Sequence, residues 1–336
     1  MGWPWVTLLG SIVSVVATAS APLASPSGPD AVAPAPAPAL RVTLLGTAAG
    51  PAARSTRSQP ASLLQVGGKT YLIDAGDGVL RQLASAGVQP GAVDAIFITH
   101  LHFDHTAGLP AFLAFDWQNR RRDPVTILGP AGTHDLVRDA IKVFQSSVDI
   151  FHSQQPDLAS FASLFKTREI VTDRPAEVYD DGVIRVRAVA NTHYTTMHLP
   201  RRTYGVDRSY SYRVEAGGKS LVFTGDTGPS AAVEDLARGA QVLVSEVIDL
   251  EAIVEKLRQR ASATSVDQSE LIAHMAKEHL TPEEVGKLAT RAGVGKVVLT
   301  HIATPPGVEA DTTMLVAKVR EHFSGEVVAG YDLYSF

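Results

Sequence analysis

"FITHLHFDHTAGLP", Phe97–Pro110, decides how the rest of the chain is read. Three histidines and one aspartate fall within six positions: His100, His102, Asp104 and His105. The residues before them, Ala95-Ile96-Phe97-Ile98, form an apolar, β-prone run. A buried strand is therefore expected to end near Thr99. In an extended chain residues i and i+2 point the same way, so His100 and His102 project together past the strand end. Asp104 and His105 follow a turn and face a second point nearby. Imidazole and carboxylate are ligands that suit zinc.

A site for metal needs further ligands, and three stand in equivalent places. His193 ends "IRVRAVANTH", Asp226 ends "SLVFTGD" and His301 ends "KVVLTH". Each is a metal-type ligand just after a mainly apolar, β-prone run. Ligands at the ends of several strands of one sheet converge on one site. Alone, each reads equally well as a capping aspartate or a satisfied core histidine. Together with the first cluster they read as a metal centre.

The remaining pattern alternates strands and helices. "RVTLLGT" (41–47), "VTILGP" (125–130), "AQVLVSEV" (240–247) and "GKVVLTHI" (295–302) are strands. Residues 61–76 and 209–227 are hairpins that turn at Gly-Gly pairs. Helices are expected over 78–87 and 133–146. A third is expected between the last two strands, where Thr281-Pro282-Glu283-Glu284 supplies a hydroxyl cap and a proline start. The two halves repeat one plan of hairpin, helix, apolar strand and histidine. Two packed sheets with helices outside satisfy it.

Bulk properties limit the function. The chain has 336 residues, 45% of them hydrophobic, and a formal net charge of −5. That charge gives no general pull toward nucleic acid, so no stable nucleic-acid complex is expected. With no cysteine there is no disulfide, thiolate ligand or cysteine nucleophile. "WVTLLGSIVSVVATAS" (5–20) resembles a signal peptide ending at Ala17-Thr18-Ala19, although it lacks a basic leader. Residues 1–19 are read as that signal, 20–39 as a Pro/Ala-rich linker and 40–336 as the folded domain. This predicts a secreted or periplasmic protein with no membrane span in its mature chain.

"THLHFDHTAGL" resembles the H-x-H-x-D-H signature of the metallo-β-lactamase superfamily. His193, the "TGDT" around Asp226, and His301 match its later metal motifs in order. Within that superfamily the chain is most similar to the ribonuclease Z and phosphodiesterase branch, which also includes aryl sulfatases. The resemblance implies an αββα sandwich, two mixed sheets with helices outside, and two Zn2+ at one edge, with Mn2+ or Fe2+ as alternatives. One ion takes His100, His102 and His193. The other takes Asp104, His105 and His301, and Asp226 bridges them. Asp74, in "YLIDAG", sits below the site and orients ligands. Glu246 and His279 match the glutamate-backed histidine that gives the leaving alkoxide its proton. Hydroxide held between the ions attacks the ester, and Asp104 counts with Glu246 and His279 among the catalytic residues.

Arg54 and Arg57 lie in a loop that approaches the site in this family and are candidate contacts for phosphate or sulfate oxygens. His152, His274 and His322 read as surface residues, His134 sits where a helix begins, and His198 reads as at most a substitute ligand. The segment 136–175 reads as an insertion forming a lid or helical hairpin over the site. The resulting expectation is an exported di-zinc phosphodiesterase acting on a small-molecule or nucleotide ester. An aryl sulfatase, lactonase or β-lactamase is the alternative, since the same ions serve each. A non-catalytic metal- or nucleic-acid-binding protein is the reading from another class. A homodimer is expected by analogy alone.

Overall fold

The computed structural model describes residues 39–264 and 268–336. The signal expected over 1–19, and all but the last residue of the linker expected over 20–39, lie outside the described residues. From the N-terminal side come β1 (Arg41–Gly46), β2 (Ala61–Val66), β3 (Lys69–Ile73), α1 (Val79–Ser85), β4 (Ala95–Phe97), α2 (Phe103–Thr106), α3 (Leu109–Gln118), β5 (Val125–Pro130), α4 (Thr133–Val143), α5 (Gln145–Gln154) and β6 (Phe165–Ile170). The second half holds β7 (Ala176–Asp180), β8 (Ile184–Ala190), β9 (Tyr210–Ala216), β10 (Lys219–Phe223), α6 (Ala231–Ala237), β11 (Val242–Ile248), α7 (Leu250–Thr264), α8 (Ser269–Glu278), α9 (Pro282–Ala292), β12 (Lys296–Ala303), α10 (Thr312–Arg320) and β13 (Glu326–Ala329).

Each half makes one mixed sheet on one plan. The first runs β1-β2-β3-β4-β5-β6 and the second β13-β12-β11-β10-β9-β8-β7. In the first, β1, β2 and β3 pair antiparallel and β3 through β6 parallel. In the second, β7 through β10 pair antiparallel and β10 through β13 parallel. The shared plan explains why the two halves resemble each other in sequence.

Side-chain alternation sorts the apolar residues into three layers. Tyr71, Ile73, Ala95 and Phe97 meet Tyr212, Leu221, Phe223 and Val244 between the sheets. Their neighbours Leu72 and Ile96 point the other way, to Phe112, Leu113 and Val137 of α3 and α4. On the far face, Val222, Leu243 and Val297 pack against Leu236, Val285, Leu288 and Leu315 of α6, α9 and α10. The order of layers is α/β/β/α, the sandwich expected. Burying each such side chain is worth about 1.5–3 kcal/mol.

Phe97 tests the central layer. It is fully buried, with the Tyr179 and Tyr212 rings 5.3 and 5.9 Å away, edge to face. Phe97→Ala should cost about 3–5 kcal/mol of unfolding free energy in urea titration. A loss below about 1 kcal/mol would mean that the two sheets are not held through this ring.

Two expectations change. Between β11 and β12 the described residues make three helices, not one. α9 starts as expected, with the Thr281 hydroxyl accepting from Glu284 N–H at 3.4 Å. The segment 136–175 is not a lid. It forms most of α4, then α5 and β6, and β6 extends the first sheet beside β5. Its Val148, Leu158, Phe161 and Phe165 join the core beneath α3, next to Trp117. No helix among the described residues is long and apolar enough to cross a membrane.

Candidate metal centre

Parallel strands align their carboxyl ends, and an open α/β sheet presents its ligands there. Asp74 follows β3, His100 and His102 follow β4, Asp226 follows β10, Glu246 lies in β11, and His301 lies near the end of β12. His193 follows β8 and joins them from the second hairpin system. Asp74 and His301 take left-handed backbone, φ +62° and +42°. Such angles are uncommon outside glycine and redirect a side chain at a strand end.

The structure gathers the seven residues into two groups. His100, His102, His193 and Asp226 form one; Asp104, His105, Asp226 and His301 form the other. Within each group the donor atoms all lie within 4.8 Å of one another, and Asp226 is common to both. His193 Nε2 lies 3.2 Å from His102 Nδ1. His301 Nε2 lies 3.3 Å from Asp104 Oδ2 and 3.2 Å from Asp226 Oδ2. Asp226 Oδ1 is 3.2 Å from His105 Nε2.

These distances fit metal ions. Zinc bonds of about 2.0–2.2 Å set tetrahedral ligands about 3.4 Å apart. His100 Nε2, His105 Nε2 and Asp226 Oδ1 are buried without a hydrogen-bond partner. Buried polar atoms are normally satisfied, so these orphans mark places where cations belong.

Contacts behind the ligands set which nitrogen faces inward. His105 Nδ1 donates to Asp74 Oδ2 at 2.8 Å, leaving Nε2 as the lone pair. Asp74 also accepts from Thr99 N–H at 2.7 Å and from the Thr99 hydroxyl. His193 Nδ1 donates to the Glu278 carbonyl at 3.0 Å. Asp104 Oδ2 accepts from Gly50 N–H at 2.8 Å. A Cβ at Gly50 would come within 2.5–2.7 Å of the Asp104 carboxyl, so only glycine lets this backbone approach. Partners behind ligands of this kind typically carry a 10–100-fold share of metal affinity. Asp74→Asn should therefore weaken zinc about 10–100-fold in a chelator competition while the fold is kept. Unchanged affinity would remove Asp74 from this role.

The electrostatics divide the histidines. Burial lowers His100 and His102, and pushes His193 down to about 3, so all three stand neutral as ligands must. Burial acts the same way on His301, but Asp226 and Asp104 outweigh it and raise this imidazole to about 10. Asp226, Asp104 and Asp74 likewise raise His105 against burial. The carboxylates thus hold protons where cations would sit. Metal binding must displace those protons, so zinc affinity rises with pH.

Beside the two groups stand Glu246 and His279. Glu246 Oε2 lies 2.7 Å from His279 Nδ1. Its Oε1 accepts from Thr227 N–H at 2.6 Å. The His279 ring stacks 6.1 Å from His301 and meets His193 edge-on at 4.9 Å. Burial lowers its pKa, but the Glu246 charge and hydrogen bond outweigh this and leave it raised. A close backbone approach brings the residue here: a Cβ on Gly228 would fall 1.8 Å from the Lys277 carbonyl.

Three placements differ from the sequence reading. Arg54 gives its guanidinium to the carbonyls of Thr304 and Val308 at 2.8 Å. Arg57 bonds the Thr47 hydroxyl at 2.8 Å and the Gly330 carbonyl at 2.9 Å. Both hold loops of the scaffold together. His274, read as a surface residue, stands at the site with its ring 6.2 Å from His193 and 6.3 Å from His279. Sequence reading also missed Glu278. The four-residue spacing from His274 to Glu278, one helical turn, was the available signal.

A four-layer α/β/β/α sandwich with two His/Asp groups at its strand ends is the metallo-β-lactamase fold of a metal-dependent hydrolase. Residues 69–302 match the Beta-lactamase superfamily domain. Ribonuclease Z of Mycolicibacterium gilvum is 33% identical over 303 residues, covering 88% of this chain and 95% of its own. Ribonuclease Z of Mycobacterium bovis is 33% identical over 300 residues, covering 88% of this chain and 97% of its own. The metallo-β-lactamase fold protein YhfI of Bacillus subtilis superposes with TM-score 0.62 at 21% identity, covering 89% of this chain and 99% of its own. Human short-form tRNase Z does so with TM-score 0.62 at 21% identity, covering 88% of this chain and 98% of its own. The chain belongs to the β-lactamase superfamily, with ribonuclease Z among its relatives.

These relatives correct the expectation of export. The chains that share the domain carry the name of a ribonuclease, not of an exported esterase. The stretch that suggested a signal lies outside the described residues. The secreted or periplasmic reading does not stand.

Proposed function

We propose that this chain is a di-zinc phosphodiesterase whose substrate is a nucleotide ester or an accessible RNA end. The observation that carries the reading is the His279–Glu246 pair, 2.7 Å apart, at the rim of the two ligand groups. The alcohol of an ordinary phosphodiester leaves as a strongly basic alkoxide and needs a proton as it departs. An aryl sulfate, whose leaving group is stable, needs that proton much less. The relatives named ribonuclease Z support the same reading.

Bound zinc would supply the Lewis acid here and lower the pKa of water from about 15.7 to about 7. The chain's own residues supply the rest. Asp226 holds the two ligand groups together, and Asp74 and the Glu278 carbonyl keep His105 and His193 turned inward. Glu246 anchors His279 through Nδ1, so Nε2 is the nitrogen that carries the mobile proton. As the phosphorus–oxygen bond to the leaving alcohol breaks, that proton passes to the departing oxygen. The carboxylate then holds the ring in place while it regains a proton from solvent.

The test is hydrolysis of bis(p-nitrophenyl) phosphate by the full chain, before and after stripping with a chelator. Turnover should vanish on chelation and return with zinc; Mn2+ and Fe2+ added separately would rank the metals. No turnover in a chain carrying zinc would sink the phosphodiester reading.

A further inference from the structure

The metal centre is open at one place. Of its seven ligand residues only His102 is not buried. The next residue, Phe103, is 87% exposed, more than any other large apolar side chain among the described residues. It opens α2 between His102, of one ligand group, and Asp104, of the other.

The backbone beneath the ring is tied down. The His102 carbonyl accepts from His105 N–H at 3.1 Å and from the Thr106 hydroxyl at 2.9 Å. The Phe103 carbonyl accepts from Ala107 N–H at 2.7 Å. Asp104, His105 and Thr106 are buried, so within α2 only Phe103 turns outward. Nothing in the fold uses its phenyl ring. It joins none of the three apolar layers. The chain thus forgoes the gain of burying a large apolar side chain. Scattered exposed apolar residues need no account, but this one stands between two ligands on the open side of the site.

Its chemistry limits what it can receive. A phenyl ring has no charge and no donor or acceptor nitrogen or oxygen, so it cannot hold the phosphate itself. It offers a flat face, which suits another flat ring. Tyr194 adds a second aromatic side chain at the same opening, half-buried and 5.3 Å from the His102 ring. In a nucleotide ester the flat group that accompanies the phosphate is the base.

We propose that Phe103 is a specificity-determining residue that stacks on the base of the nucleotide whose phosphate lies at the ligand groups. The inference rests on the phosphodiester reading above. Every base has a π-face, so the contact selects for the presence of a base and not for its identity.

The experiment compares the p-nitrophenyl ester of adenosine 5′-phosphate with the p-nitrophenyl ester of the abasic ribose 5-phosphate. The leaving group is the same in both, so the ratio of their kcat/KM values reads the base alone. The zinc-loaded full chain should favour the adenosine ester about 5- to 100-fold, the worth of one base stacked on an aromatic ring. In Phe103→Ala the ratio should fall to about one. In Phe103→Trp, which keeps a flat face, it should hold or rise, and in Phe103→Leu, which keeps apolar bulk without one, it should fall. Calorimetry with adenosine 5′-monophosphate against ribose 5-phosphate should show the same order of variants in Kd, without turnover. A ratio unchanged in Phe103→Ala, with both esters slowed together, would mean a structural role and overturn the proposal. A full ratio kept in Phe103→Leu would overturn it too, since an apolar chain would then serve as well as a ring. Turnover of both esters at equal rates by the unaltered chain overturns this inference alone. Turnover of neither ester by a chain carrying zinc overturns the phosphodiester reading, and this inference with it.

Discussion

Asp226→Ala should leave the chain with at most one zinc and lower turnover at least about a thousandfold. Asp226 is buried and belongs to both ligand groups. Its Oδ1 faces His105 Nε2 at 3.2 Å. Its Oδ2 faces His301 at 3.2 Å and His100 at 3.7 Å. Removing it leaves His100, His102 and His193 with no carboxylate, a neutral trio for a doubly charged ion. The other group keeps Asp104 and two histidines. The two losses must therefore occur together. Metal content by elemental analysis and steady-state rates on bis(p-nitrophenyl) phosphate measure them on one sample. Two zinc ions per chain with the rate gone would show that Asp226 is not a shared ligand. A retained rate would remove the di-metal reading altogether.

Much of this centre was legible because each ligand is local to a strand end. His100 and His102 follow an apolar run at i and i+2, so extended geometry alone aligns them. His193, Asp226 and His301 each close a comparable run. Glu246 and His279 were visible only through family resemblance, because nothing in "VLVSEV" or "KEHLT" marks them as partners 33 residues apart. His274 was hidden by tertiary structure. Whether its helical face meets solvent or the site depends on how α8 seats, which Gly228 permits by admitting the Lys277 carbonyl. Arg54 and Arg57 misled for the same reason. Their partners, the carbonyls near 304–308 and Gly330, lie some 250 residues or more away in the chain. β6 escaped notice because it is an edge strand: its "FKTREI" buries only its two ends, and the four polar residues between them show no apolar alternation.

The glutamate-backed histidine should separate chemistry from metal binding. His279→Ala is expected to keep full zinc, since the ring belongs to neither ligand group. On a dinucleotide, whose leaving alkoxide needs a proton, kcat should fall about 100- to 10,000-fold, the usual worth of general acid catalysis. On bis(p-nitrophenyl) phosphate, whose leaving group is stable as an anion, the loss should be far smaller. That contrast between leaving groups is the decisive reading, because a structural defect would lower both rates alike. The pH dependence follows with its sign. His279 acts when protonated, and Glu246 raises its pKa above the ordinary 6.5 against the pull of burial. Activity that needs this proton is present below the raised pKa and falls as pH rises through it. Glu246→Gln removes the larger of the opposing charges and leaves only Asp226 to oppose burial. The alkaline limb of kcat should therefore move to lower pH in that variant. A limb that stays in place would assign the titration to another group, and equal rate losses on both substrates would take the proton-donor role away from His279.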